Sequence, residues 1–578
     1  MKKIIVFVLL MYMIMPLMAQ TKYFTKNYGW SDIHSGRDVN YIADNYYWLC
    51  GSFADSEVTK INSFCFQFNN NGDTLNLKTY YIDDYETIIQ SSLQKKNGYL
   101  LVGDARKIST QKIASYSIML DFDFNILSFN GLGDVIYNNR TLSATQTTDG
   151  GYLLAGEIWS DPIDVNSFYS NPYLIKLDSL GNEVWNKIYP YPYFSWFREI
   201  KVSPQGDGYY LIGTIEYRYE HGDILLLKID EEGEVIWERT FNLGYEDWGI
   251  KMNFTMDGGF LLSGHSGLPI NYGTIIKLNK HTFEEWRKDD ELFFNGTVTG
   301  LVELSDSTII VSGHASDYYL SGQTSTDFEV MIAKLSPKGE VLWSRHYGGN
   351  RNDLGYDLVL TNERADGLDG FIISGRTESL PEPGANVYLV KTNCMGLLTE
   401  PLTSFSAEQD PENPLTYHFT NHSEYVYPDS IDGGHFLWDF GDGATSEELH
   451  PSHTFAEKGE SRIVTLTAIV CSDTSRFDIK VVTGEEIVGI EGVDGLPAFS
   501  FKMYPNPTSS GQVFLEYDLP KEGLLQLYDL QGKEVGNWIL GIRYSQVDLD
   551  LGDFVEGMYL YRLTCGGAFL KGGKLVVE

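Results

Sequence analysis

The sequence is poor in cysteine, in basic residues and in long apolar runs, and each shortage excludes a class of protein. Five cysteines among 578 residues are too few and too scattered for a disulfide-rich scaffold, and none has the spacing of zinc ligands. Cys50 and Cys65 lie on neighbouring predicted strands, where geometry decides whether they pair. After the signal-like N-terminus, no segment approaches the ~20 apolar residues of a membrane span. The sequence therefore predicts no transmembrane span.

The charge balance is strongly acidic. Lys and Arg number 43 against 79 Asp and Glu, which gives a formal net charge of −36. A chain this acidic repels phosphate backbones and anionic headgroups, so nucleic acid is not expected as a partner. Cations, neutral glycans and basic protein surfaces remain compatible with it. Surface acid also keeps an exported protein in solution.

Catalytic signatures are missing as well. The sequence contains no HExxH, GxSxG or P-loop motif, and no GxGxxG in a βαβ setting. Its eleven histidines are scattered. The sequence thus predicts no catalytic residues, no cofactor and no metal site. It favours a noncatalytic protein and leaves an enzyme open as the alternative.

The N-terminus has the layout of a secretory signal. In MKKIIVFVLLMYMIMPLMAQ, two lysines precede a short apolar run that ends at Pro16, and a small residue stands at Ala19. This order predicts a signal peptide over residues 1–19 that is removed on export. An uncleaved anchor is the alternative, and the shortness of the apolar run argues against it.

A short apolar strand that ends in glycine recurs along the first two thirds of the chain. Its copies, such as GYLLVG, GYLLAG and GFLLSG, end 49 to 62 residues apart at Gly51, Gly103, Gly156, Gly213, Gly264, Gly313 and Gly375. A period near 50 residues that holds only short strands is typical of a β-propeller.

Each repeat contains four predicted strands, which correspond to one antiparallel propeller blade. The seventh repeat stops at Val387–Gly396 without its last strand, and Thr21–Trp30 resembles the strand that is missing. The sequence therefore predicts a seven-bladed β-propeller over residues 20–399, closed by its N-terminal strand.

The loops that precede the first strand of each repeat should share one rim of such a ring, here called the loop rim. Aromatic residues stand beside acids and amides in these loops, a combination that suits sugar rings. Ordinary blade corners also use these residue types. The candidate ligand-binding residues are Trp30, Asp32, Asp83, Asp84, Tyr193, Trp196, Asp247, Trp248, Asn352 and Asp353.

Residues 400–484 follow a different pattern. The segment Trp438–Gly443, WDFGDG, places two aromatic side chains on one face of a strand and then turns the chain. His453, Phe455 and Gly459 follow it. This segment resembles a PKD domain, an immunoglobulin-like β-sandwich. The resemblance implies a spacer or contact module rather than a catalytic unit.

A linker over residues 485–499 leads to four short motifs in a fixed order. A YPNP entry and a hairpin containing QGK come first, and a GMYLYRL strand and a terminal KLVVE strand follow. Their positions include Tyr504, Pro505, Asn506, Pro507, Gly532, Lys533, Lys574 and Leu575. Residues 500–578 thus resemble the C-terminal sorting domain of the type IX secretion system of Bacteroidetes. The resemblance implies recognition by that secretion machinery and a secreted or cell-surface location.

Together these patterns predict an all-β protein: a seven-bladed propeller, a PKD-like sandwich and a small C-terminal sandwich. The predicted function is noncatalytic binding or adhesion at the cell surface, to a glycan or a surface protein, through the propeller loops. A polysaccharide lyase or hydrolase with its site at the mouth of the central channel is the first alternative. A structural component of the cell surface is the second. Paired carboxylates in the channel would favour a hydrolase.

Overall fold

The computed structural model describes most of the chain between residues 22 and 577. The described ranges are 22–29, 33–43, 46–54, 60–133, 137–159, 169–191, 193–216, 221–244, 246–267, 272–289, 291–293, 295–316, 327–349, 351–361, 370–379, 384–426, 434–471, 473–484, 500–504, 508, 512–519, 522–529, 533–541, 543–552, 554–555, 557–565 and 568–577. Within them, the 3₁₀ turn Glu291–Phe293 is the only helical element, and all other regular structure is β-strand. The predicted all-β class is confirmed.

Within the described residues before 400, seven four-stranded antiparallel sheets follow one another. The inner strands are β2 (Ile33–Ala43), β6 (Tyr85–Lys95), β10 (Asn139–Gln146), β14 (Ser195–Val202), β18 (Asp247–Phe254), β22 (Thr297–Glu303) and β26 (Asp353–Thr361). The second strands are β3 (Tyr46–Ala54), β7 (Gly98–Lys107), β11 (Tyr152–Trp159), β15 (Tyr209–Glu216), β19 (Phe260–Ser266), β23 (Ile309–Ser316) and β27 (Gly370–Thr377).

The remaining strands complete each sheet toward the outside. The third strands are β4 (Ile61–Phe68), β8 (Ile113–Leu120), β12 (Ser170–Leu177), β16 (Gly222–Ile229), β20 (Tyr272–Leu278), β24 (Phe328–Leu335) and β28 (Asn386–Asn393). The outer strands are β5 (Thr74–Tyr80), β9 (Ile126–Leu132), β13 (Glu183–Ile188), β17 (Val235–Phe241), β21 (Glu284–Lys288), β25 (Val341–Tyr347) and, in the last sheet, β1 (Phe24–Tyr28).

The last sheet joins the two ends of the repeat region. Strand β1 pairs antiparallel with β28, with Phe24 opposite Lys391 and Tyr28 opposite Val387. Each inner strand neighbours the next one, and β26 neighbours β2. Buried apolar clusters fill the spaces between successive sheets, and the cluster between the last and first sheets includes Phe24 and Leu49. The sheets therefore form a propeller-like ring.

One backbone feature repeats in every sheet and explains the glycine period. Each inner strand carries a β-bulge, and the repeat glycine of the second strand pairs with the residue just before the bulged one. A Cβ on any of these seven glycines would lie only 1.8–2.0 Å from a carbonyl oxygen of the inner strand. Only glycine permits this approach, because real Cβ atoms need more than about 3 Å. The glycines therefore fix the place of the bulges.

Two β-sandwiches follow the ring. The first contains β29 (Phe405–Gln409), β30 (Thr416–Asn421), β31 (His435–Asp439), β32 (Thr445–Ser446), β33 (Ser452–Thr454), β34 (Ser461–Val470) and β35 (Asp473–Val482). Trp438 lies at its centre, fully buried, against Phe405 and Phe419. A disulfide between Cys394 and Cys471 ties the end of the ring to this sandwich.

The second sandwich is smaller and has its own core. Its strands are β36 (Ser500–Tyr504), β37 (Gln512–Leu519), β38 (Gly523–Tyr528), β39 (Glu534–Leu540), β40 (Arg543–Asp550), β41 (Gly557–Cys565) and β42 (Ala568–Val577). They form a three-stranded and a four-stranded sheet, and β36 is an edge strand. Leu515, Leu527 and Leu563 lie in the core between the sheets, fully buried.

Candidate functional site

The seven bulged residues of the inner strands line the central channel. Because a bulge sets one residue outside the ladder, its side chain leaves the two-residue alternation of the strand. Together they surround an inner cavity of about 310 Å³. These bulge residues are Arg37, Gln90, Leu142, Arg198, Ile250, Thr299 and Tyr356.

The residue after the bulge has a structural task in four of the seven sheets. Its side-chain oxygen accepts a hydrogen bond from a backbone N–H of the neighbouring inner strand. The pairs are Asp38 with Ser92 (2.5 Å), Ser143 with Ile200 (3.3 Å), Glu199 with Met252 (2.7 Å) and Asp357 with Val39 (3.2 Å). These side chains stitch adjacent sheets together at the channel wall, where the N–H groups would otherwise lack a partner.

The carboxylates of the inner cavity are largely compensated. Lys251 Nζ lies 3.3 Å from Asp357 and 3.5 Å from Glu199, and these two carboxylates raise its pKa. Burial, reinforced by the nearby Asp357, raises the pKa of Asp38 to about 8. The shift favours the neutral form of Asp38, which lowers the negative charge at the channel wall.

A larger cavity of about 680 Å³ lies beside the inner one, at the N-terminal ends of the inner strands. We call it the mouth cavity. The rings of Trp196 and Trp248 meet edge to face in its wall, with centroids 5.1 Å apart. His265 packs against Trp248 at 4.9 Å, and burial lowers its pKa to about 4. This imidazole is neutral at physiological pH, so it adds an uncharged ring to the two tryptophans in this part of the wall.

Three arginines line the mouth cavity, and among the described residues only Arg140 has a carboxylate partner. Arg140 is held by Glu157, with its Nε and Nη2 atoms 2.6 and 2.5 Å from one carboxylate oxygen, and it lies over the Trp159 ring at 5.5 Å. Arg37 lies over the Tyr356 ring at 4.5 Å. Arg198 lies deep in the channel, and its guanidinium has no hydrogen-bond or ion-pair partner among the residues that the structure describes.

Two glutamates stand at the outer part of the same cavity. Glu216 ends β15, and Glu246 lies just before β18. Burial raises the pKa of Glu216, and the charge of Glu246 raises it further. A carboxyl with a raised pKa beside a second carboxylate is the pattern of an acid–base pair.

Some loop-rim candidates lie in the mouth cavity and others are turn residues. Trp196 and Trp248 are brought together in the cavity wall. Tyr193 packs on Tyr169 at 5.3 Å. Asp83 and Asp84 are exposed in the turn before β6, and the Asp84 carboxylate accepts hydrogen bonds from Ser109 N and Oγ at 3.0 and 2.6 Å. Trp30 and Asp32 lie outside the described residues.

The remaining three candidates are held inside their own loops. Asp247 and Asp353 are fully buried. Their Oδ2 atoms accept hydrogen bonds from Leu243 N at 2.6 Å and from Gly349 N at 2.8 Å. Burial raises the pKa of each carboxyl. Asn352 accepts a hydrogen bond from Phe328 N and donates one to Glu378. The structure does not bring these three residues into the mouth cavity.

The sorting-motif residues occupy the second sandwich. Tyr504 ends the edge strand β36, and Leu575 is buried in the core. The Lys533 backbone N–H donates to Asp529, and Lys574 lies 3.6 Å from Glu424 of the first sandwich. Pro505, Asn506, Pro507 and Gly532 lie outside the described residues.

Sequence reasoning missed the bulge residues, although a spacing signal exists. In six repeats the bulge residue stands 13 to 15 positions before the repeat glycine, and in the seventh it stands 19 before. The seven residues differ in type, so aligning the repeats does not make them stand out. The cysteines Cys50 and Cys65, left open above, form a disulfide across β3 and β4.

The described residues contain neither a cluster of metal ligands nor a membrane-spanning helix. In these ranges no cluster of three or more His, Cys, Asp or Glu side chains has the arrangement of a metal site. No helix in the same ranges has the length and hydropathy needed to cross a bilayer.

Comparison with known proteins identifies the C-terminal domain. Residues 502–578 match the family described as the secretion system C-terminal sorting domain. This is the sorting domain of the type IX secretion system, which delivers its cargo to the cell surface or the medium. The chain is therefore a secreted or cell-surface protein that interacts with the type IX machinery. No curated protein matches the chain.

Several solved structures are similar at low identity. Puromycin hydrolase is 10% identical over 68% of this chain and 59% of its own, with a TM-score of 0.40. Pyrococcus horikoshii acylaminoacyl peptidase is 12% identical over 70% of this chain and 60% of its own, with a TM-score of 0.34. The PKD1 domain of the Vibrio cholerae metalloprotease PrtV is 27% identical over 14% of this chain and 96% of its own, with a TM-score of 0.12. The chain spans about three fifths of the two hydrolases, and likenesses at these scores carry no argument about activity.

Proposed function

We propose that the protein binds a glycan noncatalytically in the mouth cavity and acts as a binding or adhesion protein outside the cell. The observation that carries this proposal is the cavity of about 680 Å³, walled by Trp196 and Trp248 and bordered by charged side chains. Its size is that of a site for a small ligand. Aromatic faces stack on the apolar CH faces of sugar rings, and charged and amide groups bind the hydroxyls.

The roles of the channel acids support binding rather than catalysis. Asp38, Glu199 and Asp357 each use a carboxyl oxygen to accept a hydrogen bond from a backbone N–H of the next sheet. Glu157 is engaged by Arg140. A carboxylate committed to holding the scaffold is a poor general base, because proton transfer would break the contact.

The test is a glycan array probed with the processed full chain, followed by calorimetry on each hit. Trp196→Ala and Trp248→Ala should each weaken binding about tenfold or more, the loss expected for a stacking aromatic. Phe283→Ala removes an exposed aromatic from the turn before the outer strand β21 and should leave affinity unchanged. Binding that survives both tryptophan variants contradicts the proposal. A chain without any ligand favours a structural surface component.

A polysaccharide hydrolase is the second candidate, and Glu216 is the observation that favours it. Its raised pKa and its neighbour Glu246 match the division between a proton donor and an ionised carboxylate. Incubating each array hit with the protein and analysing the products decides between the candidates. Release of shorter chains that is lost in Glu216→Gln supports the enzyme. Binding without release supports the first proposal.

We also propose a division of the chain. Residues 1–19 are a signal peptide, 20–399 a seven-bladed propeller closed by its N-terminal strand, 400–484 a PKD-like domain, 485–499 a linker and 500–578 the sorting domain. The pairing of β1 with β28 supports the closure, and the central Trp438 supports the sandwich boundary. Limited proteolysis with mass spectrometry tests it, since cleavage should concentrate within 485–499. The source in Bacteroidetes is a further expectation from the sorting domain.

A further inference from the structure

Arg198 carries a charge in the channel, and its guanidinium forms no hydrogen bond or ion pair with the described residues. Its side chain lies deep in the channel and lines both cavities. Burial, together with the nearby charges of Arg37 and Arg140, lowers its pKa to about 10. The charges of Glu199 and Asp104 oppose this shift, but neither residue forms an ion pair with Arg198 among the described residues. Burying a cation without a direct acceptor is unfavourable. A buried cation without an acceptor is suited to bind an anionic group of a ligand.

The other cations of the channel show the contrast. Lys251 bridges Asp357 and Glu199, and Arg140 is bound by Glu157. Arg37 is held over the ring of Tyr356 and, like Arg198, has no carboxylate partner among the described residues. Two guanidinium groups at bulge positions are thus left with donors directed at the cavities. A planar guanidinium can bind a carboxylate with two parallel hydrogen bonds.

The charge of the whole chain does not oppose an anion at this place. The formal net charge is −36, but the channel acids are committed to backbone N–H groups and ion pairs. Burial and the nearby Asp357 also raise the pKa of Asp38, which favours its neutral form. A partly enclosed site responds mainly to its nearest charges, since distant surface acids are screened by salt beyond about 8 Å. At the channel end of the mouth cavity the groups left without a carboxylate partner are the guanidinium groups of Arg198 and Arg37, whereas Glu216 and Glu246 lie at its outer part.

The aromatic wall stands next to these donors. Arg198 follows Trp196 by two residues on β14, and both side chains line the mouth cavity. A ligand that stacks on Trp196 and Trp248 can therefore place an attached group at the guanidinium. We propose that the mouth cavity selects a saccharide that carries a carboxylate, with Arg198 and Arg37 binding the carboxylate and the two tryptophans holding the sugar ring. This inference rests on the proposed glycan binding and names its substrate class.

The test compares three soluble probes on the full processed chain by calorimetry. The probes are short oligogalacturonates, neutral galactose oligomers of the same length, and sulfated galactose oligomers. The oligogalacturonate should bind at least about tenfold more tightly than the neutral oligomer, the worth of one charge-assisted hydrogen bond. Its affinity should also fall as salt is added.

Variants assign the selectivity to the channel. Arg198→Met removes the charge at similar volume and should lower oligogalacturonate affinity at least about tenfold, with little change for the neutral oligomer. Arg239→Met on the outer strand of the same sheet is the matched control and should change neither affinity. The thermal midpoint of each variant verifies folding.

The outcomes separate the two proposals. Equal binding of neutral and acidic oligomers, lost in Trp248→Ala, keeps glycan binding and overturns the role of Arg198. Preference for the sulfated probe overturns the carboxylate. Binding of none of the three probes, with array hits elsewhere, also overturns this inference. An array without any hit removes the glycan proposal itself.

Discussion

The repeat glycines and the bulge residues lie next to each other in the same ladder, yet one set is uniform and the other varied. All seven second strands carry glycine at this point. The seven bulge positions carry Arg, Gln, Leu, Arg, Ile, Thr and Tyr. The glycine is fixed because an inner-strand carbonyl occupies the place of its Cβ. The bulge side chain lines the channel cavities and lies outside the ladder, so the pairing imposes no residue type there. The glycines thus determine the backbone shape of the channel, and the bulge residues determine the charge and polarity of its lining.

The largest expected effect comes from the uniform set. In Gly213→Ala the new Cβ would lie 2.0 Å from the Trp196 carbonyl oxygen, so the two strands must separate. We expect the free energy of unfolding to fall by about 3 kcal/mol, as in severe overpacking. Urea titration measures it.

Gly131→Ala is the matched control for this prediction. Gly131 lies on the outer strand β9 with no atom within 4 Å of its added Cβ. Its variant should change the free energy of unfolding by no more than about 0.5 kcal/mol. Equal losses in the two variants would contradict the proposed origin of the glycine period.

Substitutions of two adjacent residues of β14, Glu199 and Arg198, should have different effects on the free energy of unfolding. Glu199 accepts the Met252 N–H at 2.7 Å, so Glu199→Ala leaves a buried donor without a partner. We expect a loss of about 2 kcal/mol in the free energy of unfolding. Arg198→Met removes an unpaired charge and should leave stability unchanged or raise it by up to about 1 kcal/mol. Thermal and urea unfolding measure both. A destabilised Arg198→Met variant would mean that the guanidinium serves the fold.

The repeat could be predicted from the sequence because the same steric contact, between an inner-strand carbonyl and the repeat glycine, requires glycine in all seven sheets. Strand alternation and the glycine period predict the class, and counting strands shows where one is missing. The bulge residues were not readable, because a bulge interrupts the alternation that assigns a side chain to a face. Arg37 and Arg198 look like ordinary strand residues until the pairing register is known.

Only some of the loop-rim candidates lie in the cavity wall, and the sequence could not show which, because it does not reveal the contacts of a side chain. Sequence shows that Asp247, Asn352 and Asp353 lie in loops beside aromatic residues, but it does not show which loop atoms they bind. Short-range hydrogen bonds satisfy much of their polar capacity in the structure. Trp196 and Trp248 differ because their rings pack on each other in the cavity wall and form no hydrogen bond with a loop atom among the described residues. Their appearance in the cavity wall follows from size and position on the inner strands.

A titration experiment extends the comparison to pH. The pKa of Asp38 is raised to about 8 in the folded protein by burial and by Asp357, against a usual value near 4. The folded state therefore binds this proton more tightly than the unfolded state does. Its contribution to stability is full below pH 4 and is lost as the pH rises toward 8.

Asp38→Asn isolates this contribution. The amide oxygen can still accept the Ser92 N–H, while the charge beside Asp357 and Lys251 no longer changes with pH. The difference in the free energy of unfolding between wild type and variant should change by roughly 1 kcal/mol for each pH unit between pH 5 and 7, because over this range the folded state holds one proton that the unfolded state has released. Parallel profiles for the two proteins would show that Asp38 is ionised in the channel throughout.

The smallest effect tests whether a place at the loop rim is enough for function. Asn352 exchanges hydrogen bonds with Phe328 N and Glu378, so Asn352→Ala should lower the free energy of unfolding by at most about 1 kcal/mol and leave ligand affinity unchanged. Trp248→Ala should do the reverse, because its ring is 38% exposed and supports the cavity wall rather than a core. Calorimetry and thermal unfolding on the same preparations measure both quantities. If Asn352→Ala weakened binding as much as Trp248→Ala did, the ligand would extend from the channel across the loop at β26. Loop residues would then contribute to ligand binding as well as to stability, and the binding site would not be confined to the residues at the bulges and in the cavity wall.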